Sequence, residues 1–530
     1  MEYEVKKGKI FFSFDSYDNP KFRQIVDRCR FLGMTWSRKY RHWSVKDSYM
    51  MRRAFLGTFF PDDKPPSINE RRPLFPDPPD FLMAHQSDAL WWCQNHPRWL
   101  FAHDTGTGKT VTGIEIHRLL RLRTLVVCPL SVIEDAWEKD IKQFAPDIAY
   151  TNLWEAWGQT RSNRAKFQKI LDSTTLGLVN FESFKSMRKY LDDSDINVLL
   201  VDESSKMKSP TTAITKSIIE FADNLPYAYL FSGTAAPNHK MEYWSQARVV
   251  DPMIWGGNFY HFRGRYFYNG TTAYDKFKWF EKFETRDKLM ADIASFSTVV
   301  HKADVLDLPG RTFNIRKVTL SAAERQAYDE MEKHLILELE GDTVVAQSAA
   351  VKYMKLRQIT AGFIYSEDQR APEIGKSKLN ELAALLEEIG NHRVIIWTEF
   401  INEADRIEKM LGKCGRYDGT VKMAVKTASK NAFKAGDLQY LIAHPQSMGH
   451  GVDLPMCSYM AFATPGYSAE LEKQARDRIY RKGQVNKCSY YYLLARNTID
   501  IAAYRSVKEK RALSLEVENY VKARQKWAKL

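Results

Sequence analysis

The sequence predicts an α/β protein built from two tandem lobes, each a parallel β-sheet covered by helices. The chain has 530 residues, several times the length of a single domain, so two or more hydrophobic cores are expected. Short apolar segments alternate with helical patterns from residue 98 to about 251, and the same rhythm resumes after residue 393. Near-continuous apolar strands that alternate with helices indicate parallel sheets buried on both faces.

The strands expected from this pattern are short and apolar. Those of the first lobe are 98–102, 124–128, 176–180, 197–202 and 227–232, and those of the second are 393–398, 438–444, 459–464 and 490–496. One helix of the first lobe is predicted to open with a capping box at Ser131 and Glu134. Another is predicted from an apolar stripe between Leu379 and Ile389, and it is expected to end at Gly390.

Composition narrows the class of protein. Hydrophobic residues make up 44% and charged residues 27%, which is typical of a folded chain, and the apolar runs are too short for a membrane helix. No secretory or transit leader is readable, so the expected location is the cytoplasm, on the nucleoid in a bacterium or in the host cytoplasm for a viral protein. Six cysteines without a CxxC pair argue against a structural metal and a disulfide framework.

Charge points to a polyanionic partner. The net charge is +13, of which residues 1–72 carry +7 and residues 471–530 carry +9, leaving −3 for the middle. Two basic ends around a near-neutral body indicate two nucleic-acid contact regions. Solvated surfaces that serve solubility are the alternative.

A proline-rich segment divides the chain near its start. Seven prolines fall between Pro61 and Pro79, a density that excludes a helix or a central strand and is typical of a linker. The expected organisation is an N-terminal basic domain 1–60, a linker 61–79, a first lobe 80–250, a helical protrusion and connector 251–375, a second lobe 376–512 and a basic C-terminal helix 513–530.

A glycine-rich loop is the strongest functional signal. Thr105, Gly106, Thr107, Gly108, Lys109 and Thr110 stand after a predicted strand and open a helix, which is the context of a phosphate-binding loop. The glycines allow backbone N–H groups to cradle a phosphate, Lys109 would neutralise its oxygens, and the Thr110 hydroxyl would ligate Mg²⁺. The common pattern has a glycine where this chain has His103.

Two carboxylates follow a second buried strand. Asp202 and Glu203 end the apolar run 198–201, at the edge of the sheet where the phosphate loop is expected. Asp202 is therefore predicted to face the metal and Glu203 to orient an attacking water. An acidic surface pair is the alternative.

The second lobe contains a basic run at residues 474–484. Arg478 and Arg481 are three residues apart, so on a helix they would share one face and point together across a cleft. Guanidinium groups placed in this way stabilise a transferring phosphoryl group. Taken alone, such a run is more typical of a solvated basic face.

Residues 80–512 resemble a Swi/Snf-type ATPase of helicase superfamily two, the family of double-stranded-DNA translocases. The resemblance implies two RecA-like lobes, ATP and Mg²⁺ as cofactors, duplex or branched DNA as partner, and a monomeric motor. It also implies that Gln86 reads adenine, that Pro129 and Ser131 contact DNA, and that Asp453 belongs to the nucleotide site. The matching segments are 84–86, 106–110, 125–137, 177–182, 202–208, 232–238, 356–358, 393–400, 444–454 and 474–484.

Three positions depart from the family pattern. Ser205 and Tyr480 each replace a histidine, and Lys482 takes a usually apolar place. Because the two histidine positions mediate communication more than bond making, these changes put coupling efficiency in question rather than the ATPase assignment.

Each of two aromatic segments has two interpretations, a nucleic-acid contact or a part of the hydrophobic core. The stretch 31–45 resembles the HepA-related domain of annealing helicases, in which Trp36 with Arg38, Lys39 and Arg41 would supply base stacking and phosphate contacts. A small domain whose tryptophans form its core is the alternative. Segment 259–268 is predicted to pack as core, and a nucleic-acid contact is the second interpretation there.

Together these features predict a DNA-dependent ATPase that translocates on duplex DNA, on branched or forked substrates of replication, recombination or repair. A strand-separating DNA or RNA helicase of the same superfamily is one alternative. A DNA-structure-binding protein with an idle ATPase is the other.

Overall fold

The computed structural model describes residues 1–14, 22–37, 42–61, 78–237, 239–270, 279–340, 346–365, 370–448, 452–466 and 468–508, and it gives the backbone alone at 334–340, 346–350 and 352. The described chain forms two compact units that meet in sequence between Val305 and Leu306. No described helix is long and apolar enough to cross a membrane.

The first unit begins with a small antiparallel sheet. Its strands, in spatial order, are Glu2–Lys6, Lys9–Ser13, His42–Lys46 and Thr35–Ser37, and its helices are Phe22–Phe31 and Tyr49–Phe59. Buried side chains such as Phe12, Cys29 and Phe55 give it a core of its own.

This small domain packs against the first lobe through backbone contacts. The Met50 amide donates to the Asp223 carbonyl at 3.0 Å, and the Gly257 amide donates to the Phe31 carbonyl at 2.7 Å. The Arg248 guanidinium of the lobe, which forms an ion pair with Asp223, also lies 3.2 Å from Met51 Sδ of the small domain, and all three side chains are buried. The domain is therefore a fixed extension of the first lobe, although the sequence places a proline-rich segment between them.

The first lobe is built on a parallel sheet of seven strands. In spatial order they are Ser297–Val300, Arg98–His103, Tyr227–Phe231, Val198–Asp202, Thr124–Cys128, Leu176–Asn180 and Tyr150–Asn152. The five central strands coincide with the predicted ones to within one residue at each end. Almost all of their side chains are buried, because helices cover both faces.

The helices of the first lobe connect and cover these strands. They are Ala84–Asn95, Lys109–Leu120, Leu130–Val132, Lys139–Phe144, Leu153–Gln159, Arg164–Ser173, Phe181–Asp192, Ala213–Ala222, Tyr243–Val250, Pro252–Trp255, Phe259–Tyr266, Arg286–Ala294 and Lys302–Val305. A π-helical turn spans Ile133–Glu138, 3₁₀ turns span Ser204–Met207, Lys240–Glu242 and Phe283–Thr285, and a hairpin pairs Phe267–Asn269 with Trp279–Glu281.

The second unit contains a parallel sheet of six strands. In spatial order they are Arg311–Val318, Cys488–Ala495, Tyr459–Phe462, Val394–Trp397, Tyr440–Ala443 and Gly415–Tyr417. Its helices are Ala322–Glu340, Ala346–Thr360, Ser377–Ile389, Ile401–Leu411, Met423–Ala435, Ala469–Arg476 and Ile499–Lys508. The helix that ends at Ile389 is followed by Gly390 with a φ of 69°, as the sequence predicts.

The α/β prediction with two sheet-based lobes is confirmed. The range 251–375, expected to be a helical protrusion and connector, also contains a strand of each sheet: Ser297–Val300 joins the first and Arg311–Val318 joins the second. The linker prediction falls mostly on residues 62–77, and the C-terminal helix prediction falls on 513–530; both lie outside the described residues.

Candidate active site

The order of the first sheet brings the predicted phosphate chemistry to one edge. Strand Tyr227–Phe231 lies between Arg98–His103, which precedes the glycine-rich loop, and Val198–Asp202, which precedes Glu203. All three strands are parallel, so the loops after them lie side by side at the carboxyl edge of the sheet.

The glycine-rich loop has the backbone of a phosphate cradle. Gly106 and Gly108 have φ values of 83° and 79°, in the left-handed region that favours glycine. Lys109 begins the following helix, and its Nζ donates to the carbonyls of His103 at 2.9 Å and Asp104 at 3.1 Å. Its ammonium group therefore lies within the loop at a helix N-terminus, where a phosphate is favoured.

The two threonines on either side of Gly108 differ in environment. Thr107 is buried, and its hydroxyl donates to the Asp104 carbonyl at 2.8 Å, which braces the loop. Thr110 is the second residue of the helix and is partly exposed. Its predicted Mg²⁺ contact stays a prediction.

The helix Ala84–Asn95, which precedes strand Arg98–His103, holds the glycine-rich loop in place. Gln86 Nε2 donates to the Gly108 carbonyl at 2.9 Å, and Gln86 Oε1 accepts from the Met83 amide at 2.9 Å. The His85 ring lies 2.8 Å from the Thr107 carbonyl oxygen. A Cβ at Gly108 would lie 2.4 Å from Gln86 Nε2, so this contact requires glycine. Gln86 thus positions the loop; its role in reading adenine stays a prediction.

His103 replaces the expected glycine and is neutral in this setting. Burial, together with the nearby Lys109 and His85, lowers its pKa to about 3. The neutral His103 ring therefore does not repel the nearby Lys109 ammonium group.

Asp202 is the buried carboxylate at the end of its strand. Its Oδ2 accepts from the Trp137 indole Nε1 at 3.0 Å, and its Oδ1 accepts from the Glu203 amide at 3.0 Å. Burial raises the pKa of Asp202, and the Lys109 ammonium opposes that shift. A buried carboxylate in this position gains stability from a cation beside it.

Glu203 adopts a strained backbone. Its φ is 60°, in the left-handed region that side-chain-bearing residues rarely occupy, and such strain clusters at functional sites. Ser205 donates its hydroxyl to Glu203 Oε1 at 2.8 Å, so the serine that replaces the family histidine orients the predicted water-positioning carboxylate.

Trp137 reaches Asp202 because the helix that carries it contains a π-helical turn. The predicted capping box at Ser131 and Glu134 is wrong: the helix begins at Leu130 after Pro129, and its N-cap makes no side-chain hydrogen bond. The π turn Ile133–Glu138 re-aims one side of the helix, and Trp137 is fully buried. Pro129 and Ser131 lie at the same sheet edge, and their contact with DNA stays a prediction.

A buried glutamine joins the acidic segment to the segment 232–237. Gln246 Oε1 accepts from the Ser204 hydroxyl at 2.8 Å, and Gln246 Nε2 donates to the Ala235 carbonyl at 2.7 Å. In the same segment, a Cβ at Gly233 would lie 2.8 Å from Thr105 Cγ2, so this glycine lets the segment approach the phosphate loop. The sequence shows no signal for Gln246, because the contact is purely tertiary.

The arginines of the second lobe are not on a helix. The helix Ala469–Arg476 ends before them, so the prediction of one helical face is wrong. Arg478 Nη1 donates to the Val452 carbonyl at 3.3 Å, and Arg481 forms an ion pair with Asp453. The Leu454 amide donates to the Arg478 carbonyl at 2.9 Å. This backbone pairing with segment 452–454 replaces further helical hydrogen bonds.

Tyr480, the second departure from the family pattern, lies between these arginines in the sequence. Its side chain is buried, and the Arg311 guanidinium lies 4.3 Å from its ring centroid. The tyrosine therefore serves the packing of the turn.

The first-lobe edge fits a nucleoside triphosphate and Mg²⁺. The glycine backbone and Lys109 would hold the phosphates, and Thr110 with Asp202 would hold the metal. The fit rests on the two left-handed glycines at a helix N-terminus and on the buried Asp202 carboxylate that Lys109 partly compensates.

Two family models cover most of the chain. The SNF2-related domain matches residues 85–362, and the helicase conserved C-terminal domain matches residues 377–483. The chain belongs to the SNF2-related family. It is a helicase-like ATPase, as the motif analysis predicts.

The similarity extends to curated proteins from several organisms. Protein p41 of Acyrthosiphon pisum secondary endosymbiont phage 1 is 24% identical over 77% of this chain and 91% of its own length. The Caenorhabditis elegans homolog of SWI/SNF-related matrix-associated actin-dependent regulator of chromatin subfamily A-like protein 1 is 25% identical over 84% of this chain and 61% of its own. An uncharacterized ATP-dependent helicase of Mycoplasma genitalium is 23% identical over 79% of this chain and 40% of its own.

The chain therefore spans most of the phage protein but less than two thirds of the worm and mycoplasma proteins. Among solved structures, the Sulfolobus solfataricus SWI2/SNF2 ATPase core in complex with dsDNA is similar with a TM-score of 0.40 and 20% identity, covering 83% of this chain and 93% of that one.

The DNA contacts predicted for the N-terminal domain fall on two tryptophans and on three basic residues. Trp43 is buried in the core of the domain, and Trp36 packs beside it with ring centroids 5.5 Å apart. These tryptophans therefore contribute to the core, as one of the two interpretations expected. Arg38, Lys39 and Arg41 lie outside the described residues, so their contacts with DNA stay predictions.

Proposed function

We propose that the chain is an ATP- and Mg²⁺-dependent translocase on double-stranded DNA that works as a monomer on branched or forked DNA in replication, recombination or repair. The observation that carries the proposal is the bridge from the acidic segment through Gln246 to Ala235. This bridge connects Ser204, the residue after the predicted hydrolytic carboxylate Glu203, to a neighbouring segment that lies against the phosphate loop. Such a connection is what a motor needs to transmit the state of its nucleotide.

Each predicted catalytic side chain has a defined task in this proposal. Lys109 neutralises phosphate oxygens, Glu203 orients the attacking water, and Arg478 and Arg481 stabilise charge on the transferring phosphoryl group. Mg²⁺, when bound, supplies further charge neutralisation at the phosphates. Asp453 holds the Arg481 guanidinium by its ion pair, which makes it a positioning residue.

DNA as the partner is supported by charge and by family membership. The two ends of the sequence carry +7 and +9, which favours contacts with a phosphate backbone. The small N-terminal domain, fixed on the first lobe, is the part that we propose selects branched DNA.

The ATPase rate against a panel of nucleic acids tests this function. Phosphate release is measured with no nucleic acid and with single-stranded, duplex, forked and four-way-junction DNA, and with RNA. Duplex and branched DNA should stimulate the rate most. Stimulation by RNA alone would indicate an RNA helicase, and an unstimulated, very low rate would indicate an idle ATPase.

The double variant Arg38→Glu with Arg41→Glu tests the assigned role of the N-terminal domain. We expect binding to forks to weaken more than binding to plain duplex does. The log–log salt slope should fall by about two, because each lost phosphate contact lowers it by roughly one. Circular dichroism and melting must be unchanged. Binding that is equal to wild type on fork and duplex across a salt series would remove that role.

A further inference from the structure

The hairpin of the first lobe presents an aromatic surface to solvent. It pairs Phe267–Asn269 with Trp279–Glu281, in a register that places Tyr268 opposite Phe280. Because side chains alternate between the two faces of a strand, Tyr268 and Phe280 share the outer face. Tyr268 is 50% exposed, Phe280 is 36% exposed, and Phe283, just beyond the hairpin, is 86% exposed.

The outer aromatic pair is held in a fixed arrangement. The rings of Tyr268 and Phe280 are stacked, with centroids 5.7 Å apart and an angle of 26° between their planes. A Cβ at Gly270 would lie 2.4 Å from the Phe280 ring, so the absence of a side chain there lets the ring lie across the backbone. The surface is therefore preorganised.

The inner face of the hairpin accounts for its attachment to the lobe. Phe267 is buried in the main core of the lobe and packs against Phe262. The Trp279 carbonyl lies 3.0 Å from the His239 ring nitrogen, and Lys240 forms an ion pair with Glu281 at 2.8 Å. These contacts attach the hairpin to the lobe through its inner face.

Basic residues outnumber acidic ones in the segments that carry this surface. Within the described residues of 259–288 there are five Lys and Arg side chains against three acidic ones. The acidic side chains are Glu281, which is paired with Lys240, and Glu284 and Asp287 on the following turns. The Arg263 guanidinium lies 3.9 Å from the ring centroid of Trp279 in the same hairpin and 5.1 Å from that of Tyr260, which is 61% exposed. A neutral or acidic apolar surface would suit a protein partner, whereas aromatic rings among cations suit a nucleic acid strand.

We infer that Tyr268, Phe280 and Phe283 form a stacking surface for the unpaired bases of single-stranded DNA. The inference rests on the proposed DNA partner, and it adds a single-strand contact that lies apart from the phosphate loop in sequence and on a different element. Every base has a π face, so such a surface binds without sequence preference. At a fork or branch it would engage the strand that has lost its complement.

Single-strand binding by a double variant tests the inference. The probe is a 20-nucleotide oligo-dT containing one 2-aminopurine, whose fluorescence is quenched by stacking. Tyr268→Ala with Phe283→Ala should weaken binding about 10-fold or more and abolish the quench. The log–log salt slope should stay the same, because stacking releases no counterions. Trp154→Ala, which removes another exposed aromatic of the same lobe, should behave as wild type.

Further readouts separate this inference from the proposed function and from misfolding. Duplex-stimulated phosphate release should stay within about twofold of wild type in the double variant, and Phe283→Trp should keep or strengthen the quench. If duplex DNA does not stimulate phosphate release by the wild type, the proposed function fails. The oligo-dT binding measurement does not depend on ATP hydrolysis, so it still tests the stacking surface. Unchanged oligo-dT affinity in the double variant would overturn the stacking surface and favour a protein-docking face. A loss of affinity that comes with a lower salt slope would also overturn it.

Discussion

The two lobes hold their predicted phosphate-contacting residues in different ways. In the first lobe, Asp202 ends one buried parallel strand and Lys109 begins the helix that follows another, so both are positioned by elements packed in the core. In the second lobe, Arg478 and Arg481 stand in a turn beyond a helix. Segment 452–454 holds Arg478 by hydrogen bonds from its side chain to Val452 and from the Leu454 amide to its carbonyl, and it holds Arg481 by the ion pair with Asp453. The first arrangement depends on the core of the lobe, whereas the second depends on a few polar contacts that single substitutions can remove.

The largest effect is expected at the sheet edge. Lys109→Ala and Glu203→Gln should each reduce duplex-stimulated phosphate release to background, because one removes the cation on the phosphates and the other the water-orienting carboxylate. Binding of a fluorescent ATP analogue to the Glu203 variant, and of DNA to both, should persist. Near wild-type turnover in either variant would show that the edge is not the hydrolytic site.

The next effect is expected at the arginine turn. Arg478→Ala and Arg481→Ala should each lower the turnover about 10³-fold while nucleotide binding persists, as the loss of an arginine finger does. Asp453→Asn leaves both arginines in place and breaks only the ion pair of Arg481, so its loss should be smaller, about 10-fold. Normal hydrolysis with weaker DNA binding would instead identify the turn as a phosphate-contacting surface.

A smaller effect is expected from the indole that supports Asp202. Trp137→Phe keeps an aromatic ring but removes one of the two N–H groups that donate to this carboxylate. A hydrogen bond to a charged group contributes about 1.5–3 kcal/mol, so the Mg²⁺ concentration needed for half-maximal phosphate release should rise about 10-fold. Excess Mg²⁺ should restore the rate. An unchanged Mg²⁺ dependence would separate Trp137 from the metal site.

The smallest effect concerns the stability of the first lobe in acid. Burial lowers the pKa of His103 to about 3 and that of His117 to about 4, from 6.5. Between about pH 6.5 and pH 4 the unfolded chain binds protons that the folded lobe does not. Each histidine therefore lowers the free energy of unfolding by about 1.4 kcal/mol for every unit that the pH falls within this range.

Urea unfolding of wild type and of His103→Gln with His117→Gln measures this contribution. The double variant should show a flatter pH dependence over that range, and comparing the two chains cancels the carboxylates that titrate in the same range. Parallel curves would mean that these histidines are protonated in the folded lobe.

Much of the fold follows from the sequence because its central strands are apolar on both faces. Strands Thr124–Cys128 and Leu176–Asn180 coincide with their predicted bounds. In the two parallel sheets of the described chain, the four edge strands were not predicted: Ser297–Val300, Tyr150–Asn152, Arg311–Val318 and Gly415–Tyr417. Tyr150–Asn152 and Gly415–Tyr417 have three residues each, and Arg311–Val318 alternates between exposed and half-buried side chains. Such segments lack the continuous apolar run that identified the others.

The residues of the candidate site likewise divide into those that the sequence predicts and those that it does not. The phosphate loop and Asp202 follow from local signals, a strand followed by glycines or carboxylates. Trp137 and Gln246 have no such signal, because a π-helical turn aims the first and a tertiary hydrogen bond recruits the second. The arginine turn was misassigned to a helix, since the hydrogen bond from Leu454 to the Arg478 carbonyl is not encoded in local spacing.

We propose that ATP hydrolysis moves the chain along duplex DNA without separating its strands. Displacement of a third strand from a triplex, measured beside strand displacement from a forked duplex, tests it most directly. Wild type with ATP and Mg²⁺ should release the third strand and leave the fork paired, and Lys109→Ala should release neither. Separation of the fork without release of the third strand, or ATP hydrolysis with neither, would contradict the account.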